Sequence, residues 1–203
     1  MSKSKAKKVK RQIEKTVKGV PDSELIKLDI ACGQRKDQGW TGIDVVNVLG
    51  ITDIVYDLLK FPWPIKSHSV GEAKCSHFFE HVPAKLRLSF MEEVYRILVD
   101  DGKFNIIVPY WASMRAIQDA THEWPPICEA SFLYYNKNWL KDTKLDLIYP
   151  IKCDFDFSYG YALDGQSQFT NRNEEAKQFA IRNYTNVVSD LIINLIKRKK
   201  IDE

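Results

Sequence analysis

Apolar positions along the chain fall into short clusters divided by turn residues, and the clusters use two different spacings. Leu25, Ile26, Leu28 and Ile30 form a run that suits a buried parallel strand. Thr41-Gly42-Ile43-Asp44 is a shorter apolar segment ending on an acid, and Ile51 to Leu58 is a third, with Asp57 at its end. Gly71 to Cys75 reads as a fourth strand, with Ser76-His77-Phe78 at its carboxyl end. The spacing then changes. Leu86, Phe90, Val94, Ile97 and Leu98 make a helical stripe, with Pro83 suited to the first turn and Asp101-Gly102 as the stop. Lys103 to Val108 is strand again, closed by Pro109. Ile151, Cys153, Phe155, Phe157 and Tyr159 alternate with Lys152, Asp154, Asp156 and Ser158, which predicts a half-exposed, antiparallel strand. Glu174 to Tyr184 can form a helix. Val187 to Ile196 reads as a final strand from its β-branched content, with a helix as the alternative.

Short apolar strands around a helical stripe describe an open α/β sheet, and such sheets bind ligands outside the carboxyl ends of their strands. Two features mark those ends. Ala31-Cys32-Gly33 offers small residues that let backbone approach a ligand closely. Asp44, ending the second strand, is placed to accept both hydroxyls of a ribose. Together they point to a ligand containing a nucleoside.

Composition adds limits. With 203 residues, 44% hydrophobic and 28% charged, the chain is ordinary for one globular domain with tails. No apolar run reaches the 18 or more residues that crossing a membrane takes, and no apolar segment follows the basic N-terminus as a secretory signal would. Cys32, Cys75, Cys128 and Cys153 form no CxxC pair, so reduced thiols and a cytoplasmic location are expected. Residues 1–18 hold seven lysines and one arginine against one glutamate, and Lys197-Arg198-Lys199-Lys200 adds four cations. A net charge of only +3 therefore leaves the body between them acidic. That is not the profile of a domain laying its main surface along nucleic acid. Residues 1–20 read as a basic, disordered tail, or as a loose electrostatic contact for an anionic partner.

The motifs carry a resemblance. Leu28-Asp29-Ile30-Ala31-Cys32-Gly33 followed by Gly42-Ile43-Asp44 resembles the cofactor-binding region of class I S-adenosylmethionine-dependent methyltransferases. Leu98-Val-Asp-Asp-Gly-Lys-Phe-Asn-Ile-Ile-Val-Pro-Tyr110 resembles that family's helix, turn and fifth strand, and the likeness covers roughly residues 25–196. It implies a Rossmann-like α/β fold with a seven-stranded mixed sheet flanked by helices, and S-adenosyl-L-methionine as cofactor. The loop Ala31-Cys32-Gly33 would hold the cofactor, with Gly33 beneath its methionine part. Asp44 would bind the ribose, Asp29 would orient the loop and the amino group, and Asp57-Leu58 would meet the adenine. Two departures stand out. Ala31 and Arg35 occupy places where the family usually has glycine. Only ten residues separate Gly33 from Asp44, against an acid about 20 residues on in dinucleotide folds, so the first crossover helix must be one turn or absent.

His77, Glu80 and His81 reproduce a His-x-x-Glu-His pattern of the family, and Asp119-Ala-Thr-His122 is similar to an Asp-x-x-His element of a short-form subgroup. His77 is expected at the cofactor. His122, then His81, are candidate general bases, with Asp119 orienting His122 or fixing its tautomer. The His-x-x-Glu-His spacing also suits metal ligation, but no third distant ligand accompanies it, so no metal is expected. The domain is expected to span 21–203, with a substrate-side segment at about 111–143 rich in aromatic residues. The substrate expected is a small molecule, such as a sugar or another hydroxylated metabolite. Neither an Asn/Asp-Pro-Pro-aromatic element nor a Pro-Cys nucleophile is present. The alternatives are a nucleic-acid methyltransferase using the basic tails and a non-catalytic cofactor-binding subunit.

Overall fold

The computed structural model describes residues 25–199, and the basic tail at 1–20 lies outside them. The chain runs β1 (Ile26–Ile30), β2 (Thr41–Asp44), β3 (Ile54–Val55), β4 (Val70–Ser76), α1 (Ala84–Ile97) and β5 (Leu98–Pro109). There follow α2 (Lys137–Asp142), β6 (Phe155–Leu163), α3 (Glu174–Asn183) and β7 (Val188–Lys197), with short 3-10 turns at Phe79–His81, Met114–Ala116 and Glu129–Tyr135. The sheet has seven strands in the order β3-β2-β1-β4-β5-β7-β6. Strands β3 to β5 are parallel, and β7 enters antiparallel to both β5 and β6. This is the mixed, helix-flanked α/β sheet expected from the sequence.

The order places the site. From β1 the chain steps outward to β2 and β3, then returns to lay β4 on the other side of β1. The carboxyl ends of β1 and β4 therefore diverge at a switch point, where an open sheet leaves a crevice. β1 and β2 are joined without a helix, as the ten-residue spacing requires.

Several boundaries differ from the sequence pattern. The third strand pairs only at Ile54–Val55: the Tyr56 N–H adds one last bond to the Asp44 carbonyl (2.8 Å), and Asp57 then starts a turn. The helix ends at Ile97 rather than at Gly102, since Leu98 is already extended and pairs with Val70. The next pair is Glu72 with Lys103, so residues 99–102 bulge out of β5. In that bulge Asp101 takes the left-handed conformation (φ 61°), while Gly102 is needed for space: a Cβ there would lie 2.7 Å from the Val99 carbonyl.

The core lies beneath α1. Phe90, Met91, Val94 and Ile97 are fully buried. Phe90 meets Trp63 edge-on at 5.2 Å and Phe79 at 5.4 Å. The Phe61–Pro64 loop thus serves the core rather than a ligand: Trp63 is buried, and its Nε1 donates to the Leu58 carbonyl (3.1 Å). The other face of the sheet is polar, with Asp29, Lys74, Asn105, Asn194 and Ser158 in one row of register. The C-terminal cations are also part of the folded body. Lys197 is buried and donates to the Leu98 carbonyl (2.8 Å), Arg198 pairs with Asp154 and Asp156, and Lys199 with Asp101.

Candidate functional site

On the first rim of the crevice, the chain leaving β1 curls back over the end of β2. Ala31 and Gly33 both adopt left-handed backbone (φ 57° and 55°). Between them the N–H of Ala31 reaches the Ile43 carbonyl (2.9 Å), and the N–H of Gly33 donates to Asp44 Oδ2 (2.9 Å). Asp44 Oδ1 accepts from the N–H of Val46 (2.9 Å). The carboxylate is thus buried and held in place by two backbone donors. Each oxygen keeps a lone pair, which is what two vicinal hydroxyls need. Gly42, in β2, is required for close packing: a Cβ there would lie 2.7 Å from Cys32 Sγ and 2.8 Å from the Ile51 carbonyl. Cys32 is buried, and burial and the neighbouring Asp44 push its thiol up, which disfavours the thiolate.

Three expected cofactor residues have other engagements. Asp29 is ion-paired with Lys74 (3.1 Å), and burial raises its carboxyl despite that partner. Asp57 accepts from the Leu59 N–H (3.1 Å) and pairs with Lys60 (2.9 Å), whose hydrogen bond lowers its carboxyl. Leu58 is buried in the core.

On the second rim, β4 ends at Ser76, and His77 takes left-handed backbone (φ 54°) with its N–H on the Ile107 carbonyl (2.8 Å). Its ring is half-exposed, and a bond to Glu80 raises the imidazole above its ordinary value. The 3-10 turn then presents Glu80 and His81. The long segment after β5 folds down onto this turn, and the N–H of Glu123 donates to the Glu80 carbonyl (2.9 Å). Arg87 of α1, also buried, secures the join. Its guanidinium donates to the carbonyls of Val82 (3.1 Å), Glu123 (2.8 Å) and Pro125 (2.7 Å).

His122 thereby lies against His81, ring centroids 4.8 Å apart. A ligand-type atom from each of Glu80, His81 and His122 falls within 4.8 Å of the others, so the fold brings the distant His122 beside the Glu80–His81 pair. Asp119 lies near both histidines and reaches His81 through Thr121. It accepts from the N–H and the hydroxyl of Thr121 (2.8 and 2.7 Å), and the Thr121 oxygen faces His81 Nδ1 at 3.0 Å. His122 is fixed separately, its Nδ1 on the Ala116 carbonyl (3.1 Å), with Asp119 3.9 Å from its Nε2. Trp111, Met114, Ile117 and Trp124 stand exposed along the same segment.

Arg87 and Thr121 are the residues holding this rim that the sequence conceals. Arg87 lies beside the helical stripe, three residues before Phe90, and nothing but its position on the buried face could have marked it. Thr121 lay inside the Asp-x-x-His element as an unspecified residue.

No family model matches the sequence, and no curated protein matches it. Among solved structures, the chain is similar to a SAM-dependent methyltransferase from Archaeoglobus fulgidus, with TM-score 0.62 and 16% identity over 94% of each chain. It is also similar to a chain in the complex that contains the Haloferax volcanii Trm112 methyltransferase activator, with TM-score 0.52 and 13% identity over 98% of this chain and 94% of that one. The chain has the class I methyltransferase fold.

Proposed function

We propose that the chain is an S-adenosyl-L-methionine-dependent methyltransferase acting on a small hydroxylated molecule. The observation that carries this reading is the first rim: a buried carboxylate ending β2, held by the N–H of Gly33 and the N–H of Val46, with a lone pair left on each oxygen. In this reading Asp44 accepts the ribose hydroxyls, and Ala31-Cys32-Gly33 lies under the methionine part. His77 stands at the cofactor's methyl end. The acceptor enters from 111–143 and meets His81 and His122. Methyl transfer from a sulfonium is an in-line displacement, so positioning supplies most of the rate. A hydroxyl acceptor also loses a proton, and an imidazole Nε2 on the second rim can receive it.

The nucleic-acid reading is weakened by the C-terminal cations, since Lys197, Arg198 and Lys199 already face carboxylates of the body. Calorimetry with S-adenosylmethionine and its demethylated product tests the cofactor. Stoichiometric binding is expected, and no binding at millimolar ligand overturns the reading. A screen of hydroxylated metabolites with methyl-labelled cofactor tests the acceptor. Label appearing in RNA or DNA instead, and lost when residues 1–18 are deleted, would replace the small-molecule assignment.

A further inference from the structure

We infer that Glu80, His81 and His122 form a binding site for one divalent first-row transition cation, of which zinc is the probe. The first support is geometric. One ligand atom from each of the three lies within 4.8 Å of the others. Ligands on a tetrahedral zinc stand about 3.3 Å apart, so closure needs movement of about 1.5 Å in the side chains.

The second support is the proton inventory of the two rings. The Thr121 hydroxyl gives its proton to Asp119 Oδ1 (2.7 Å). Its oxygen must therefore accept from His81 Nδ1 (3.0 Å), beside the Thr121 carbonyl at 3.2 Å. His122 Nδ1 faces the Ala116 carbonyl (3.1 Å), which can only accept. Both rings can thus carry their proton on Nδ1 with a lone pair at Nε2, that of His122 standing 3.9 Å from Asp119 Oδ2. Metal-ligating histidines are held in the same way, the second nitrogen donating to a carbonyl or to a hydroxyl backed by a carboxylate.

The third support is independent and points to a cation. Glu80 is only 6% exposed, and its Oε2 has no hydrogen-bond partner. Its Oε1 has His77 Nδ1 at 3.5 Å. Arg87 interacts with Glu80 through charge, but its hydrogen bonds go to the carbonyls of Val82, Glu123 and Pro125 and leave Oε2 without a donor. Buried carboxylate oxygens are almost always satisfied, and burying a charge without compensation is costly. A cation held by Glu80, His81 and His122 supplies what the protein leaves out. Two imidazoles and one carboxylate, with positions left for water or substrate, are a donor set for zinc, iron or manganese rather than for calcium.

Cation binding does not depend on the methyltransferase reading; its use does. If both hold, the ion coordinates the acceptor hydroxyl and makes it more acidic. The proton leaves to water, the oxygen pair forms the new C–O bond, and the C–S pair returns to sulfur to leave the thioether. His81 and His122 then donate to the ion rather than to a proton.

The test uses the full chain, stripped with chelator and titrated with zinc alone. One zinc per chain is expected, at micromolar affinity or better, with magnesium binding at least 100-fold more weakly. Glu80→Gln and His122→Ala should each weaken zinc at least tenfold, and Thr121→Val by 10–100-fold. His68→Asn, remote from the cluster, should leave zinc unchanged. Cobalt(II) on the unaltered chain should give visible d–d bands without a sulfur charge-transfer band, which keeps the inference testable if a variant fails to fold. No zinc binding below millimolar overturns it. So does binding that survives both Glu80→Gln and His122→Ala, or a sulfur band showing that cysteines hold the metal. Zinc binding without cofactor binding retires the methyltransferase reading alone, and the reverse result retires only this inference.

Discussion

The two rims of the crevice are built on opposite plans. The Asp44 cradle of the β1–β2 rim comes from residues 31–46, and its donors are backbone N–H groups, that of Gly33 on left-handed backbone. The β4–α1 rim joins residues about 40 apart in sequence, and its groups are side chains fixed by other side chains: Arg87 pins the segment, Asp119 sets Thr121, and Thr121 sets His81. Backbone built locally tolerates side-chain change as long as φ is allowed. A rim assembled at long range depends on each clamp. Variants in one rim should therefore leave the other intact, and that separation is what the following measurements can break.

The largest effect is expected at Arg87. Arg87→Met removes three hydrogen bonds and strands the carbonyls of Val82, Glu123 and Pro125. Unsatisfied buried groups cost about 1–3 kcal/mol each, partly recovered by relaxation, so a loss of about 3 kcal/mol is expected. For a chain of this size that lowers Tm by about 6–12 °C. Trypsin should cut at Arg115 much faster, while S-adenosylmethionine affinity stays within about threefold. If cofactor binding fell in step with stability, the rims would be one cooperative unit.

Asp44→Ala is the converse experiment. Hydrogen bonds to a charged group contribute about 1.5–3 kcal/mol each, so cofactor affinity should drop at least tenfold. Trypsin sensitivity at Arg115 should not change. Calorimetry returning the native affinity would remove Asp44 from the ribose.

The two plans also decide what the sequence reveals. The glycine, the terminal aspartate and the ten-residue spacing of the first rim are contiguous signals, and the helix-free link between β1 and β2 follows from them. The strand alternation of Phe155, Phe157 and Tyr159 was legible for the same reason: periodicity is local. His122 was legible as a candidate converging on one cleft with His81, since strands four and five end side by side, but the means of that contact, the Glu123 N–H and an arginine with no motif of its own, was not. Asp119 was expected to act on His122, from which it stands 3.9 Å, and its reach to His81 was not foreseen. Sequence proximity suggested His122, whereas the hydroxyl of Thr121 carries its influence to His81. The early end of α1 escaped too, because Gly102 marks a close approach inside the β5 bulge and not a left-handed stop.

A smaller effect is expected at Gly42. Gly42→Ala would push a methyl group against Cys32 Sγ and the Ile51 carbonyl, and the carbonyl cannot move without disturbing the loop to β3. Overpacking of this kind costs about 1–3 kcal/mol. Because Cys32 is part of the loop proposed to hold the cofactor, affinity for S-adenosylmethionine should fall as well, by a few-fold. Cys32→Ala in the same chain should restore part of the stability by removing one of the two clashes. No recovery would mean that the Ile51 carbonyl bears the whole strain.

The smallest effect separates backbone from side chain within the first rim itself. Ala31 and Gly33 have nearly the same left-handed φ, yet only one of them is glycine. Left-handed backbone costs an ordinary L-residue about 1–2 kcal/mol, so Ala31→Gly relieves strain. Against that gain stand the greater freedom of glycine in the unfolded chain, about 0.5–1 kcal/mol, and the loss of a methyl that packs on the core. The terms nearly cancel, and Ala31→Gly should change stability by about 0.5 kcal/mol or less. Gly33→Ala has no compensating term. A Cβ there meets nothing within 4 Å, so the cost is conformational alone, about 1–2 kcal/mol. Thermal unfolding of the two variants should therefore differ by a few degrees, with Ala31→Gly near the native Tm and Gly33→Ala below it. If Ala31→Gly were the more damaging of the two, the methyl of Ala31 would be holding the loop, and this rim would rest on side-chain packing as the other does.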